Sequence, residues 1–173
     1  MRKIESKMAE KLQSTFEFIR NIYLPGYMTL ANADYDSKGG TFEFNIREPP
    51  VVKGDWVNYF TPRGLHICVS QAGFALAENL VNEGKLEYLD IQSFRNIVLQ
   101  GKTKITELYQ KWRREIGTEE PIQGRFNITK ARFGKVPVLK MDFDFGNKSV
   151  HGNLTSIITS QPVAQTNQDI LII

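Results

Sequence analysis

Between Thr61 and Gly84 the chain carries a run with almost no polar face: Leu65, Ile67, Cys68, Val69, Ala72, Phe74, Ala75, Leu76, Ala77, Leu80 and Val81. Thr61 is a suitable N-cap, Pro62 fits the first helical position and Gly84 fits a stop just past the end. The segment therefore predicts a helix over 62–83, about 33 Å long. A surface helix shows one apolar stripe, whereas a helix apolar nearly all round has to be enclosed by other elements. The chain has 173 residues, a length that favours one domain, so the enclosing must be done by what flanks this helix.

The flanks read mainly as strands. Ile4, Met8, Leu12, Phe16 and Ile19 recur at helical spacing, which predicts an amphipathic N-terminal helix over about 3–21, ended by Tyr23-Leu24-Pro25-Gly26. Strand patterns follow over Met28–Tyr35 and Thr41–Arg47, joined by the hairpin loop Asp36-Ser37-Lys38-Gly39-Gly40. Glu48-Pro49-Pro50 stops the second, and a loop runs through Gly54-Asp55-Trp56-Val57-Asn58-Tyr59-Phe60. Beyond Gly84, Tyr88, Ile91, Phe94 and Val98 predict a short helix near 90–98. Segment 102–116 fits either a helical stripe or a long, bulged strand. From 121 onward Ile122, Phe126 and Ile128, then Leu139, Met141, Phe143 and Phe145, then Val150, Leu154 and Ile158 hold period two. Three antiparallel strands are expected there, turning at Phe133-Gly134-Lys135 and Gly146-Asn147-Lys148. The tail 161–173 reads either as one more strand or as disordered. One buried helix among several strands is an α+β order, and its economical solution is an antiparallel sheet curled around the helix, with a core over about 26–160.

Composition removes several classes of function. Lys and Arg total 22 against 19 Asp and Glu, a net charge of +3 that is too balanced for a nucleic-acid binder yet suits anionic groups such as coenzyme A or phosphopantetheine. Cys68 is the only thiol and His66 and His151 the only imidazoles, so neither a disulfide framework nor a zinc cluster can be built, and no metal or other cofactor is expected. The first twenty residues mix Lys, Arg and Glu with apolar positions, unlike a secretory signal, and no long apolar run would span a membrane; a cytoplasmic location is expected.

Over about residues 20–160 this order of elements resembles the hot-dog superfamily. Shorter stretches are similar to its FcoT-like long-chain acyl-CoA thioesterase branch: Phe44-Asn45-Ile46 with Glu48, the loop Lys53-Gly54-Asp55-Trp56-Val57-Asn58-Tyr59-Phe60, Cys68-Val69-Ser70-Gln71, Val81-Asn82-Glu83 and Lys111-Trp112-Arg113-Arg114. The resemblance implies a homodimer or dimer of dimers acting on acyl-CoA or acyl-ACP, by thioester hydrolysis. It also implies alternatives: addition of glycine to an enoyl-ACP, a dehydratase-like lyase reaction, or a non-catalytic module that binds an acyl or other hydrophobic ligand. The dehydratase mechanism is disfavoured, because the loop before the helix lacks His and the helix position for its acid is Ile67.

The resemblance also implies site residues. Tyr23 stands where the branch carries a functional tyrosine, and Asn58 matches its loop asparagine, with Thr61 taking that place if an insertion lies earlier. Ser70 stands in place of a helix asparagine, directly before Gln71, and a second tyrosine of the branch falls on Pro50 or Val51. From the residues themselves, His66 and Ser70 lie four apart on one helical face, and Asp55 is a carboxylate able to act as general base. Thioester hydrolysis needs donors where the oxyanion develops, and the helix start at Thr61 with Gly64 offers backbone N–H groups. Arg113 and Arg114 beside Lys111 are a cationic run suited to phosphates or to a solvated strand face. Glu78 and Asn79, polar in an apolar helix, call for partners from the sheet or a second subunit, or for a substrate tunnel.

Overall fold

The computed structural model describes residues 2–24, 27–46, 60–86, 89–132 and 136–159; in the first helix, side chains are described for Glu10 and from Leu12 onward. Asp55, Asn58, Pro50, Val51, the turn at 133–135 and the tail 161–173 lie outside them. The elements in order are α1 (Arg2–Ile22), β1 (Leu30–Tyr35), β2 (Gly39–Phe44), α2 (Pro62–Asn82), α3 (Ile91–Leu99), β3 (Thr103–Trp112), β4 (Ile122–Arg132), β5 (Val138–Phe145) and β6 (Val150–Ile158). The six strands form one sheet in the order β1-β2-β4-β5-β6-β3, every neighbouring pair antiparallel. This α+β arrangement is consistent with a hot-dog fold.

The pattern of α2 dictates most of the packing. Thr61 caps it, with Oγ1 accepting from the Gly64 N–H at 3.1 Å. Gly84, in the left-handed region at φ 68°, follows its end. Leu65, Val69, Ala72, Ala75 and Leu76 are fully buried, in one core with Phe42, Phe44, Phe126, Met141 and Phe145 from the inner face of the sheet. Strict alternation on β2, β4 and β5 supplies those aromatic residues. Phe126 meets Phe42 edge-on at 5.2 Å and Phe145 at 5.5 Å, while Phe60, just before α2, meets Phe145 at 5.2 Å and Trp112 at 5.8 Å.

Segment 102–116 resolves as the bulged strand. The register of β3 on β6 shifts between Ile105 and Glu107, which returns Leu108, Gln110 and Trp112 to the inner face and gives the segment its mixed periodicity. Opposite it, Gly152 is forced: a Cβ there would lie 1.9 Å from Tyr109 O. The hairpin turn is tighter than the loop expected at 36–40: Asp36 Oδ1 accepts from the N–H groups of Lys38 and Gly39, and β2 already begins at Gly39, while the far ends of β1 and β2 stop at Leu30 and Phe44. The short helix runs one residue later than expected, capped by Asp90 on the Ser93 N–H at 2.9 Å.

Two polar residues of α2 are absorbed by neighbours that the pattern does not announce. Glu78, 1% exposed, pairs with Arg95 of α3, neither a sheet residue nor a second subunit. The same guanidinium donates to the Ser14 carbonyl and hydroxyl of α1 at 3.3 and 2.8 Å and lies over the Phe18 ring. Asn79 donates to Glu83 at 3.0 Å. Arg95 thus ties three helices together through one charged group. Removing it would strand the Glu78 carboxylate, so Arg95→Met should cost about 3–5 kcal/mol in urea unfolding. The double variant Glu78→Leu with Arg95→Met should recover most of that loss.

Candidate active site

The least covered stripe of α2 is His66, Ser70 and Phe74, one above another at intervals of four residues. It faces the inner side of β3 and the end of β6 across a cleft of about 320 Å3. Val69, Gly73 and Phe74 form the helix wall with His66 and Ser70, and Ile105, Leu154, Thr103 and Ser156 form most of the other. Most of the lining is apolar, and it contains no carboxylate.

Tyr23 lies beside the cleft, against two of its lining residues. It follows α1 directly, its N–H donating to Ile19 O at 3.2 Å, so the seating of α1 sets where its ring lies. That ring packs against Phe74 at 6.5 Å, and its hydroxyl lies by that of Ser70. Burial pushes the phenol up to about 12, the Ser70 hydrogen bond opposes the shift, and the nearby Cys68 adds a smaller upward push. At neutral pH Tyr23 is therefore a proton-bearing donor and no base.

The other residues singled out from the sequence fall into groups. His66 is exposed at the lip of the cleft, one helical turn from Ser70. Gln71, fully buried, is engaged by the fold. Its Oε1 accepts from the backbone N–H groups of Thr29 and Leu30 at 3.2 and 2.8 Å and from the Thr29 hydroxyl at 3.0 Å, and its Nε2 donates to Tyr27 O at 2.7 Å. It fastens to α2 the backbone that leads from Tyr23 into β1. Gly64 is buried and its N–H serves the Thr61 cap, so the donor expected for an oxyanion is already committed. Arg113 lines a groove on the outer face of the sheet with Asp142, Asp144 and Asn153, away from the cleft, and Arg114 is exposed beyond the end of β3. Among the described residues no group of three or more His, Cys, Asp or Glu is placed to hold a metal, and no helix is long and apolar enough to cross a membrane.

Gly73, Phe74 and Ser156 escaped the sequence reading as site residues. Phe74 continues the His66–Ser70 stripe by one more interval of four, and Ser156 interrupts the inward run Leu154, Ile158 with a hydroxyl. Both signals are present in the sequence, yet each reads equally well as core.

No protein-family model matches the chain, and no curated protein sequence does. Its shape does have counterparts among solved structures. A provisionally assigned thioesterase from Syntrophus aciditrophicus SB superimposes with a TM-score of 0.54 at 14% identity, over 88% of this chain and 99% of that one. A hypothetical thioesterase protein with coenzyme A from Streptococcus pneumoniae TIGR4 gives 0.47 at 7% identity, over 86% and 97%. AziG from S. sahachiroi gives 0.45 at 7%, over 75% and 90%. At such identities the likeness is one of fold: this chain shares the architecture of the Syntrophus protein.

The state of Tyr23 is open to titration. Because its folded value lies above the ordinary 10, the stability it contributes is complete below pH 10 and is lost as pH rises towards 12. A rise from 10 to about 12 corresponds to about 3 kcal/mol. In denaturant unfolding from pH 9 to 12, Tyr23→Phe should lose less stability than the natural chain by roughly that amount; parallel curves would show that the phenol is not shifted.

Proposed function

We propose that the chain is an acyl-thioester enzyme of hot-dog type, a thioesterase that hydrolyses fatty acyl-CoA or acyl-ACP. The observation that carries this reading is the largely apolar cleft beside α2, with the Tyr23 phenol, kept proton-bearing by burial, next to the Ser70 that lines it. An acyl chain in the cleft would bring its thioester to these hydroxyls. With the Gly64 N–H taken by its cap, the Tyr23 phenol becomes the donor best suited to the developing oxyanion, held in line by Ser70. Water adds to the carbonyl and the carbon–sulfur bond breaks. His66, at the lip, would take the water's proton and return it to the departing thiolate. Asp55 and Asn58 remain proposed members of the site through the resemblance in the loop that carries them.

The FcoT-like branch is part of the proposal, since Tyr23 and Ser70 occupy two of its positions and lie beside each other. On that reading glycine, in place of water, adds its amine to an enoyl-ACP. A homodimer is proposed as well. β3 is the terminal strand of the sheet, ten residues long, and such an edge invites a second copy. A non-catalytic binding module is favoured by one observation, the committed Gly64 donor. It predicts that Tyr23→Phe and Asn58→Ala leave ligand binding unchanged.

Purified protein should release thiol from members of a panel of acyl-CoA and acyl-ACP substrates, or form a glycine adduct with enoyl-ACP. Ser70→Ala and Tyr23→Phe, with folding checked by melting temperature, should slow turnover by about a hundredfold, the scale of one oxyanion donor. Neither thiol nor adduct from any substrate would leave only the binding module.

A further inference from the structure

The outer face of the sheet carries groups that the reading above leaves unused. A groove of about 410 Å3 runs over β4, β5, β6 and β3 there, and the strand register orders what lines it. Asn127, Asp142, Asn153 and Tyr109 form one row, each the register partner of the next. Asp144 and His151, partners in turn, form the row beside it. Arg113 and Lys148 close the groove past that row, where the Arg113 N–H donates to Ser149 O. Cations therefore stand at one end, with the carboxylates behind them. Tyr109, 58% exposed, stands beside the amides at the other end, four strand positions or about 13 Å from Arg113.

Three observations set this groove apart from an ordinary solvated face. Among the described residues none of these side chains is in a hydrogen bond or ion pair, although opposite charges stand in neighbouring rows; on the same face Glu107 is met by Thr155 at 2.9 Å and by Lys140 at 4.0 Å. His151 Nδ1 is covered from solvent and has no partner. Lys148 holds φ 66° directly after Asn147 at 54°, in the left-handed region that glycine adopts freely and a lysine avoids. A lysine kept there against its backbone preference, and lining a groove, points to a use for its charge.

We infer that the groove is a second binding site, for a ribonucleoside phosphate. It lies on the opposite face of β3 and β6 from the cleft and does not depend on how the cleft is read. A bare anion would meet the repulsion of Asp142 and Asp144, and a bare cation that of Arg113 and Lys148. The occupant needs an anionic group, hydroxyl donors and a flat ring, in that order. Arg113 and Lys148 take the phosphate, the guanidinium as a planar fork and the ammonium as a point charge. Asp144, which as a carboxylate only accepts, takes the ribose diol beside His151, the role an acidic side chain has in dinucleotide sites. Tyr109 stacks on the base, whose edge lies against Asp142, Asn127 and Asn153.

The test is calorimetric titration of the whole chain with the ribonucleoside monophosphates AMP, GMP, CMP and UMP. At least one should bind with a Kd below about 1 mM, and its 2′,3′-dideoxy counterpart, its nucleoside and inorganic phosphate should each bind at least about tenfold more weakly. Lys148→Gly, which suits the left-handed turn, and Arg113→Ala should each weaken the nucleotide about tenfold and leave the nucleoside unchanged. Asp144→Ala should remove the preference for the ribose diol, and Tyr109→Ala should weaken nucleotide and nucleoside alike. Ser70→Ala, on the other side of the sheet, should leave the affinity as it is. No binding of any of the four overturns the site. So does binding that inorganic phosphate matches, that Asp144→Ala tightens, or that Lys148→Gly and Arg113→Ala leave untouched, since each describes a patch of charge alone. Loss of binding in Ser70→Ala would assign the nucleotide to the cleft and overturn the second site.

Discussion

A helix without a polar face has to be closed in on nearly every side, and the rest of this chain is arranged around that requirement. The inner face of the sheet covers α2 with Phe42, Phe44, Phe126, Met141 and Phe145, and α1 and α3 cover it elsewhere with Phe18, Ile19, Phe94 and Val98. The polar groups that α2 carries inside are each answered at close range. Glu78 meets a guanidinium, Asn79 meets Glu83 one turn on, and Gln71 takes up backbone groups of the segment that crosses over it. A buried amide left unanswered would cost about 1–3 kcal/mol, so these bonds are conditions of the enclosure rather than decoration of it.

Where enclosure stops, a cleft begins. The sheet ends at β3, and there His66, Ser70 and Phe74 emerge on the helix opposite the inner side of the last two strands. The same constraint that buries most of α2 thus decides which of its residues can meet a ligand. Tyr23 is brought to this place by three elements: α1 delivers it, Gln71 pins the backbone that follows, and Phe74 holds the ring. Its raised pKa is a consequence of that seating, because the burial that disfavours the phenolate comes from these elements.

Much of the architecture could be read from residue patterns because it is local in origin. The caps and stops of α2 are single residues with single roles, and the alternation on β4, β5 and β6 leaves only one face able to go inward. β3 resisted because a bulge changes the phase of its pattern partway along, so that Ile105 and Leu108, three apart, both turn inward. Of the candidate residues, Tyr23, His66 and Ser70 follow from resemblance and helical spacing, and the fold sets Tyr23 beside the cleft that His66 and Ser70 line. Gln71 stands next to Ser70 in the stretch that carries the resemblance, but what engages it is backbone about forty residues earlier, which no local pattern announces. Arg113 and Arg114 looked like a phosphate site by density of charge, and strand alternation carries Arg113 to the opposite face of the sheet. Gly73 was silent for a different reason, since an open space leaves no mark on composition.

The tie between Ser14 and Arg95 spans 81 residues of sequence. At 5–20 residues per second of synthesis, about 4–16 s separate the emergence of α1 from that of the side chain that fastens it. Through that interval α1 can rest on α2 but lacks the charged tie that fastens it, so the seat of Tyr23 beside the cleft is incomplete. The strands β3 and β6, which form the far wall, emerge later still. The cleft is thus among the last parts of this fold to exist, finished only once β6 has been made.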